Sequence, residues 1–351
     1  MGQVHNRLCS TRFVNLCLAN LLVNLFVFAQ LPLWQQKLPQ PDAAHPVLCC
    51  GLLAFCIGMI VPGPFVAHLL EKYRRKLLYL QALVALGLCA VGAFCLPDGQ
   101  ADGQPLFLAS LLFGLEGAAY GVMQIAMGTT IVNDMLVSAQ RTKGDCFYAW
   151  AGRMGMPGGL LAGSVMSAYV PAPGSMWWAA VAPAVAYLLV AQTTIPVKAP
   201  VRMPVVALDR FFLPSSWGSM LALFPSAFVV GLLLSAHISM AGLVALLAGY
   251  VLAFLLQRCV QVQRFHFTRI CLGYVLLALA LAIDALHLGA DISVWLPALL
   301  AGCGCALVSA NLLVHFVEHS EHCQRGTAQN THLLVWTLAF CLGMCLGMQL
   351  L

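Results

Sequence analysis

The sequence predicts an all-α membrane protein: a polytopic bundle of about eleven transmembrane helices in two pseudo-repeated halves, with a cytoplasmic N-terminus. Three observations support this prediction: the composition, the lengths of the apolar runs and the placement of the basic residues. Hydrophobic residues make up 61% of the chain and charged residues only 8%, with a mean hydropathy of +0.89. Roughly a quarter of the residues of an ordinary soluble protein are charged. The composition therefore excludes a soluble globular protein.

The apolar residues fall in runs of about 20, the length that a helix needs to cross the hydrocarbon core of a bilayer. Short polar loops separate the runs, and none resembles a cleavable signal before a soluble domain. The 15 cysteines lie mostly inside the runs and form no CxxC pair, so no disulfide framework is predicted. The predicted spans are residues 12–34, 46–70, 76–96, 105–132, 145–168, 175–195, 216–235, 237–257, 268–287, 293–318 and 331–351.

The basic residues follow the positive-inside pattern of membrane proteins. When the N-terminus is placed in the cytoplasm, the inner loops hold all but two of the 17 Lys and Arg residues. The exceptions are Lys37 in an outer loop and Arg153 inside a span. If one span had been missed, every later loop would change sides and the basic residues would no longer lie on one side. The asymmetry therefore supports the number of helices as well as their orientation.

Polar residues inside the first and fourth spans are candidates for function. Asn20 and Asn24 share one face of the first span, which fits either helix–helix hydrogen bonding or the lining of a cavity. In the fourth span, Glu116, Tyr120 and Gln124 form a polar row at i, i+4 and i+8. A carboxylate near the middle of a bilayer is costly and is rarely accidental. Glu116 is therefore a candidate proton-coupling group, with a protonated or paired structural role as the alternative.

The fifth span combines a charge with a row of small residues. Arg153 lies about two turns inside the span, and Ala151, Gly155, Gly159 and Gly163 recur at every fourth position. Small residues at this spacing let two helix backbones approach closely in a membrane. The row is therefore predicted to pack against another helix.

The two halves of the chain repeat weakly. Leu111–Gly114 matches Leu299–Gly302 at an offset of 188, and the pairs Gln140-Arg141 and Gln324-Arg325 differ by 184. Similar offsets in the same helix–loop–helix context indicate an internal repeat with both halves in one orientation. The predicted division is a six-helix half at 1–197, a cytoplasmic central linker at 198–214 and a five-helix half at 215–351. A twelfth helix is expected after residue 351, where the chain stops.

This arrangement resembles the major facilitator superfamily, including an uncharacterised bacterial branch that has a similar Arg141–Asp145 loop. The family has a signature between its second and third helices, an acid followed by bases. The segment Ala67–Lys76 is a degenerate match to it. The resemblance implies a transporter in a bacterial cytoplasmic (inner) membrane, with helices 1, 4, 7 and 10 around a central cavity. It also implies a gating loop formed by Glu71, Lys72, Arg75 and Lys76.

The helical rise of ~1.5 Å per residue gives the depth of each polar residue in the membrane. Arg153 falls at the level of Asn20, Gln124 and Asn311, while Glu116 lies about 12 Å farther out than Gln124 by the same rise. We predict that this layer, with Tyr120, binds substrate, and that Arg153 favours a carboxylate or phosphate group. The alternative is that Arg153 pins helices together by bonding to backbone carbonyls.

Some sequence features are also compatible with functions other than transport. His315, His319 and His322 share one face at the end of the tenth span, so a metal-binding membrane protein is an alternative, although no further ligand motif appears. No DxxxD-type acid pair supports a prenyltransferase, and no enzyme activity or cofactor is predicted. A non-transporting membrane scaffold or regulator is the remaining alternative.

The expected partners are a small-molecule solute and the lipid bilayer, not nucleic acid. Substrate, direction, coupling ion and oligomeric state stay open.

Overall fold

A computed structural model describes most of the chain. The residues that it describes are 10–38, 41–96, 104–132, 136, 141–195, 204–208, 211–236, 239–259, 266–286, 292–321 and 324–350.

Helices account for nearly all of the described residues. A π-helical segment, Ala126–Ile131, continues the fifth helix, and a 3-10 turn, Pro214–Ser216, precedes the ninth. The α-helices are α1 Thr11–Lys37, α2 Pro41–Ile60, α3 Gly63–Lys72, α4 Arg75–Phe94, α5 Gln104–Ile125, α6 Arg141–Tyr169, α7 Gly174–Ala179, α8 Val181–Gln192, α9 Trp217–Ala236, α10 Met240–Cys259, α11 His266–Ala285, α12 Ile292–Glu318 and α13 Arg325–Leu350.

The predicted fold class is confirmed: the protein is an all-helical polytopic membrane protein. Within the described residues, nine helices are long and apolar enough to cross a membrane, and ten if α2 and α3 form one span bent by 50°. The bend follows from Pro62 and Pro64, because proline cannot donate the backbone hydrogen bond that would continue α2. Helix α6 is not among these spans. Its Arg, Gly, Ser and Pro residues make it less apolar than the predicted span at 145–168 implied.

The helix pairs of the first half recur in the second. Helix α1 packs mainly against α6, and α5 packs against α2 and α4. In the second half, α9 packs against α13 in the same way, and α12 packs against α10 and α11. Each set of pairs follows the same chain order, as a structural repeat requires.

Glycines allow close contacts between helix backbones. The face of α6 that carries Gly155, Gly159 and Gly163 lies directly on the α1 backbone at Leu25 and Ala29. A Cβ at any of these glycines would collide with α1 backbone atoms, so only glycine permits this approach. The predicted packing role of the small-residue row agrees with this contact.

The described part of the central linker contacts both halves. The backbone N–H of Ala207 donates to the Pro64 carbonyl, in the first turn of α3, at 2.9 Å. Toward the second half, Asn330 of α13 donates to the Phe211 carbonyl at 2.8 Å, and the Leu213 N–H donates to Thr331 Oγ1 at 2.9 Å. The linker residues 198–203 and 209–210 lie outside the described part of the chain. The predicted domain boundaries remain a prediction.

Candidate functional site: two linked cavities

A cavity with many polar side chains in its wall lies where the two helical halves meet, and its empty space, including the part open to solvent, is about 650 Å³. Helices α1, α5 and α6 of the first half form most of its wall, and α13 with Leu313 of α12 closes it from the second half. Its polar lining residues are Asn20, Asn24, Tyr120, Gln124, Tyr148, Arg153, Gln329, Asn330, His332 and Thr337.

A hydrogen-bond network fixes the first-half side of this cavity, with Asn20 at its centre. The Oδ1 atom of Asn20 accepts from Gln124 Nε2 at 3.1 Å and from Asn24 Nδ2 at 3.0 Å. Its Nδ2 donates to the Tyr148 carbonyl on α6 at 3.1 Å. Tyr120 donates its hydroxyl to Asn24 Oδ1 at 2.8 Å. The network joins α1, α5 and α6, so both interpretations of Asn20 and Asn24 hold: they bond helices together and line a cavity.

Arg153 reaches across the cavity to the second half. Its Nη2 donates to the Ser309 carbonyl of α12 at 3.2 Å, and its guanidinium carbon lies 5.7 Å from the centre of the Trp150 ring. Its Nη1 is buried and has no hydrogen-bond partner among the described residues. One end of the guanidinium is thus bonded to backbone, as the packing alternative expected. The other end is a buried donor without a partner in the described structure, on a residue that lines the cavity.

The second half adds polar groups that the sequence did not single out as site residues. His332 Nε2 lies 3.0 Å from the same Ser309 carbonyl that accepts from Arg153. Gln329 and Asn330 lie one turn earlier on α13, and Gln329 Oε1 is buried without a partner in the described structure. The available signal was the polar start of the last apolar run, which opens with Gln329, Asn330 and His332 within four residues.

A second cavity of about 570 Å³ adjoins the first on the side that the charge pattern predicts to be outer. Phe28, Tyr120 and Thr337 line both cavities. Glu116, the predicted proton-coupling residue, lines the second cavity and is only 1% exposed. Its Oε1 accepts a hydrogen bond from Gln30 Nε2 of α1. Gln30 was missed from the sequence, where a lone glutamine in an apolar run was the only signal.

The structure brings together four of the five predicted substrate-binding residues. Asn20, Tyr120, Gln124 and Arg153 line the first cavity. Asn311 is not among the residues that line either cavity, and its Nδ2 donates to the Leu307 carbonyl of its own helix at 2.7 Å. Helical rise predicts a depth for Asn311 but not the direction in which its side chain points.

The predicted gating loop connects α3 to α4. Lys76 donates to the carbonyls of Ala191 and Thr193 at 2.5 and 2.9 Å and so satisfies the end of α8. Lys72 lies with its Nζ 5.8 Å from the centre of the Tyr73 ring. Glu71 and Arg75 flank these contacts and also have interaction partners. Gating by these four residues stays a prediction.

The histidines of the alternative metal site lie at the end of α12. The rings of His315 and His319 stack with centroids 3.9 Å apart, and His315 Nδ1 lies 3.1 Å from Ser219 Oγ. His322 lies outside the described residues. Within the described ranges, no group of three His, Cys, Asp or Glu side chains could hold a metal ion.

Comparison with known proteins relates the chain to membrane transporters by fold. Residues 21–193, just under half of the chain, match the model of a family described as "Protein of unknown function (DUF1275)". No relative was found among curated protein sequences. Among solved structures, the crystal structure of a D-xylose-proton symporter matches with a TM-score of 0.63 and 13% sequence identity. The match covers 96% of this chain and 89% of that one, so the protein has a fold like that of this symporter.

Proposed function

We propose that the protein is a secondary active transporter that moves a small solute across the membrane by alternating access. The observation that carries the proposal is the polar cavity between the two halves, with the unpartnered Nη1 of Arg153 in its wall. A buried cationic donor without a partner is costly in a membrane protein unless a ligand or water satisfies it. In transporters of this architecture, the substrate site lies between the halves near the middle of the bilayer.

The chemistry of the first cavity favours an anionic organic solute. Arg153 offers a planar donor fork suited to a carboxylate or phosphate group. Around it, Asn20, Gln124 and Tyr120 are fixed by their network and supply amide and hydroxyl groups. Hydrogen bonds from such fixed groups give a site its specificity.

Glu116 is proposed as the group that couples transport to protons. It is buried beside the cavity, and its Oε2 has no partner in the described part of the structure. A carboxyl in these surroundings is suited to exchange a proton between the two sides. The solved structure with a similar fold is named as a proton symporter, which supports this assignment. The proposed location is a bacterial inner membrane.

The role of Arg153 is tested by flux in proteoliposomes with a panel of small organic anions, sugars and drugs. We expect carboxylate or phosphate compounds to be transported. Arg153→Gln should abolish this flux, and Arg153→Lys should retain part of it because the charge stays while the fork is lost. Arg12→Gln, an exposed cation on α1, is the matched control. If no compound is transported by the folded protein, the scaffold alternative gains support instead.

Glu116→Gln separates proton coupling from substrate binding. We expect it to abolish uptake driven by a proton gradient while counterflow exchange of the same solute continues. Loss of both activities in a well-folded variant would instead assign Glu116 a structural role.

A further inference from the structure

The second cavity contains two buried hydrogen-bond acceptors that lack donors. Glu116 uses only Oε1 in its bond with Gln30, and its Oε2 has no partner among the residues that the structure describes. The Oε1 atom of Gln30 is also buried and unpartnered there. Both side chains line the cavity, and they are 1% and 3% exposed. Unsatisfied acceptors at this depth are costly, so the cavity is suited to a ligand that donates hydrogen bonds.

The wall around these acceptors is aromatic and apolar, apart from the indole N–H of Trp34, a buried donor without a partner among the described residues. Trp34 and Phe113 lie with ring centroids 5.3 Å apart, and Phe55 and Tyr120 lie 5.5 Å apart on the same wall. Aromatic faces attract cations through their quadrupole, and an apolar wall accepts the body of an organic ligand. Of the described residues that line the cavity, none is basic.

Lys37, the lysine nearest in sequence to Gln30, already contacts other groups. It lies one turn beyond Trp34, with its Nζ 5.2 Å from the centre of that ring. The same Nζ donates to the carbonyls of Phe94 and Leu96 at 2.5 and 2.6 Å, which ties α1 to the end of α4. Lys37 does not line the cavity, so these contacts leave the Glu116 carboxylate for another cation.

From this geometry we infer a second binding site, for an organic amine with a primary ammonium and an aromatic or apolar body. The ammonium donates to Glu116 Oε2 and Gln30 Oε1, and the body packs between the aromatic rings. A primary ammonium suits these acceptors because it has three donor hydrogens and a full charge. The site differs in charge from the first cavity, where Arg153 favours an anionic group, and the inference does not require transport.

The test compares phenethylammonium with phenethyl alcohol, which has the same body and no charge. Dissociation constants are measured by ligand-observed NMR with the full-length protein in detergent. We expect the amine to bind at least about tenfold more tightly than the alcohol, which corresponds to about 1.4 kcal/mol. Glu116→Gln should remove this preference, so that the amine binds no more tightly than the alcohol. Equal affinity for the two compounds in the unmodified protein would overturn the inference.

Two further variants control for folding and net charge. Glu318→Gln makes the same change of charge at an exposed position and should leave amine binding unchanged. Glu116→Asp keeps the carboxylate and should keep a preference for the amine. If Glu116→Asp and Glu116→Gln bind the amine equally, the carboxylate is not the determinant and the proposal is wrong. Because binding is measured without flux, failure here is distinct from failure of the transport proposal.

Discussion

Asn20 is the residue on which the first cavity depends most. Its amide bonds to Asn24, to Gln124 and to the Tyr148 carbonyl, so one side chain joins three helices. It is 4% exposed, and removal of its amide would leave these groups without their partners. Buried polar networks of this kind hold a unique arrangement only while every member is satisfied.

We therefore predict that Asn20→Ala destabilises the protein by about 1–3 kcal/mol, the cost of leaving buried polar groups unsatisfied. The measurement is the melting temperature in detergent, with unfolding monitored by intrinsic fluorescence. Asn15→Ala is the matched control, because Asn15 lies on the same helix and is only half-buried. Equal melting temperatures for the two variants would show that the network does not contribute to stability.

Single residues also show how far the sequence could predict the site. Helical rise gave the depth of Asn20, Gln124 and Arg153, and all three line the cavity. Rise does not give the rotation of a helix, so Asn311 was placed in the same layer although its side chain bonds to its own helix. The pairing of Gln30 with Glu116 depends on how α1 and α5 cross, which no local pattern encodes.

At the scale of the element, α6 shows why hydropathy alone is an incomplete guide to a span. Its charged and small residues exclude it from the helices that are apolar enough to span a membrane by composition. The same residues carry out its two roles. Gly155, Gly159 and Gly163 lie on α1, and Arg153 reaches α12. The sequence predicted the close packing from the spacing, but it did not predict that α1 is the partner.

Gly159→Ala tests this contact. An added Cβ would lie 3.0 Å from the carbonyl carbon of Leu25, against rigid backbone, so we expect a loss of about 1–3 kcal/mol from overpacking. Gly158→Ala is the control on the same helix, because a Cβ there meets nothing within 4 Å. Both changes raise helix propensity alike, so their difference in melting temperature isolates packing. If both variants melt alike, α6 does not lie this closely on α1.

At the scale of the whole molecule, the two halves meet at the cavity and at the end where the linker lies. Buried Asp145 of α6 interacts electrostatically with Arg325 of α13 and with Arg141 of its own helix. These two arginines are the pair that the sequence repeat matched. The repeat thus predicted which positions correspond, while the interaction of both arginines with Asp145 follows from the way the halves pack.

The linker couples the halves through α13. Thr331 Oγ1 accepts the Leu213 N–H, and Asn330 on the cavity wall donates to Phe211. Phe211 is buried beside Gly63 at the start of α3, where a Cβ would collide with its ring. The linker therefore forms a strap, in the sense that its residues Phe211 and Leu213 contact both the first half and a cavity-lining helix. A movement of α13 on ligand binding would have to stretch or release it.

Thr331→Val tests this strap, because it removes the acceptor for Leu213 without changing a residue that lines the cavity. The hydroxyl of Thr331 also donates to the Thr327 carbonyl of its own helix at 2.8 Å, and this bond is lost as well. The loss of the Leu213 bond alone is expected to cost about 1 kcal/mol, which raises local opening of the linker about fivefold. We expect trypsin to cleave the linker at Lys198, Arg202 or Arg210 several-fold faster in this variant, as measured by the rate at which two half-length fragments appear. Thr337→Val makes the same substitution on α13 away from the linker and should leave the rate unchanged. Identical rates for both variants would mean that Thr331 does not hold the linker in place, and movements of α13 would then have no direct route to the first half through it.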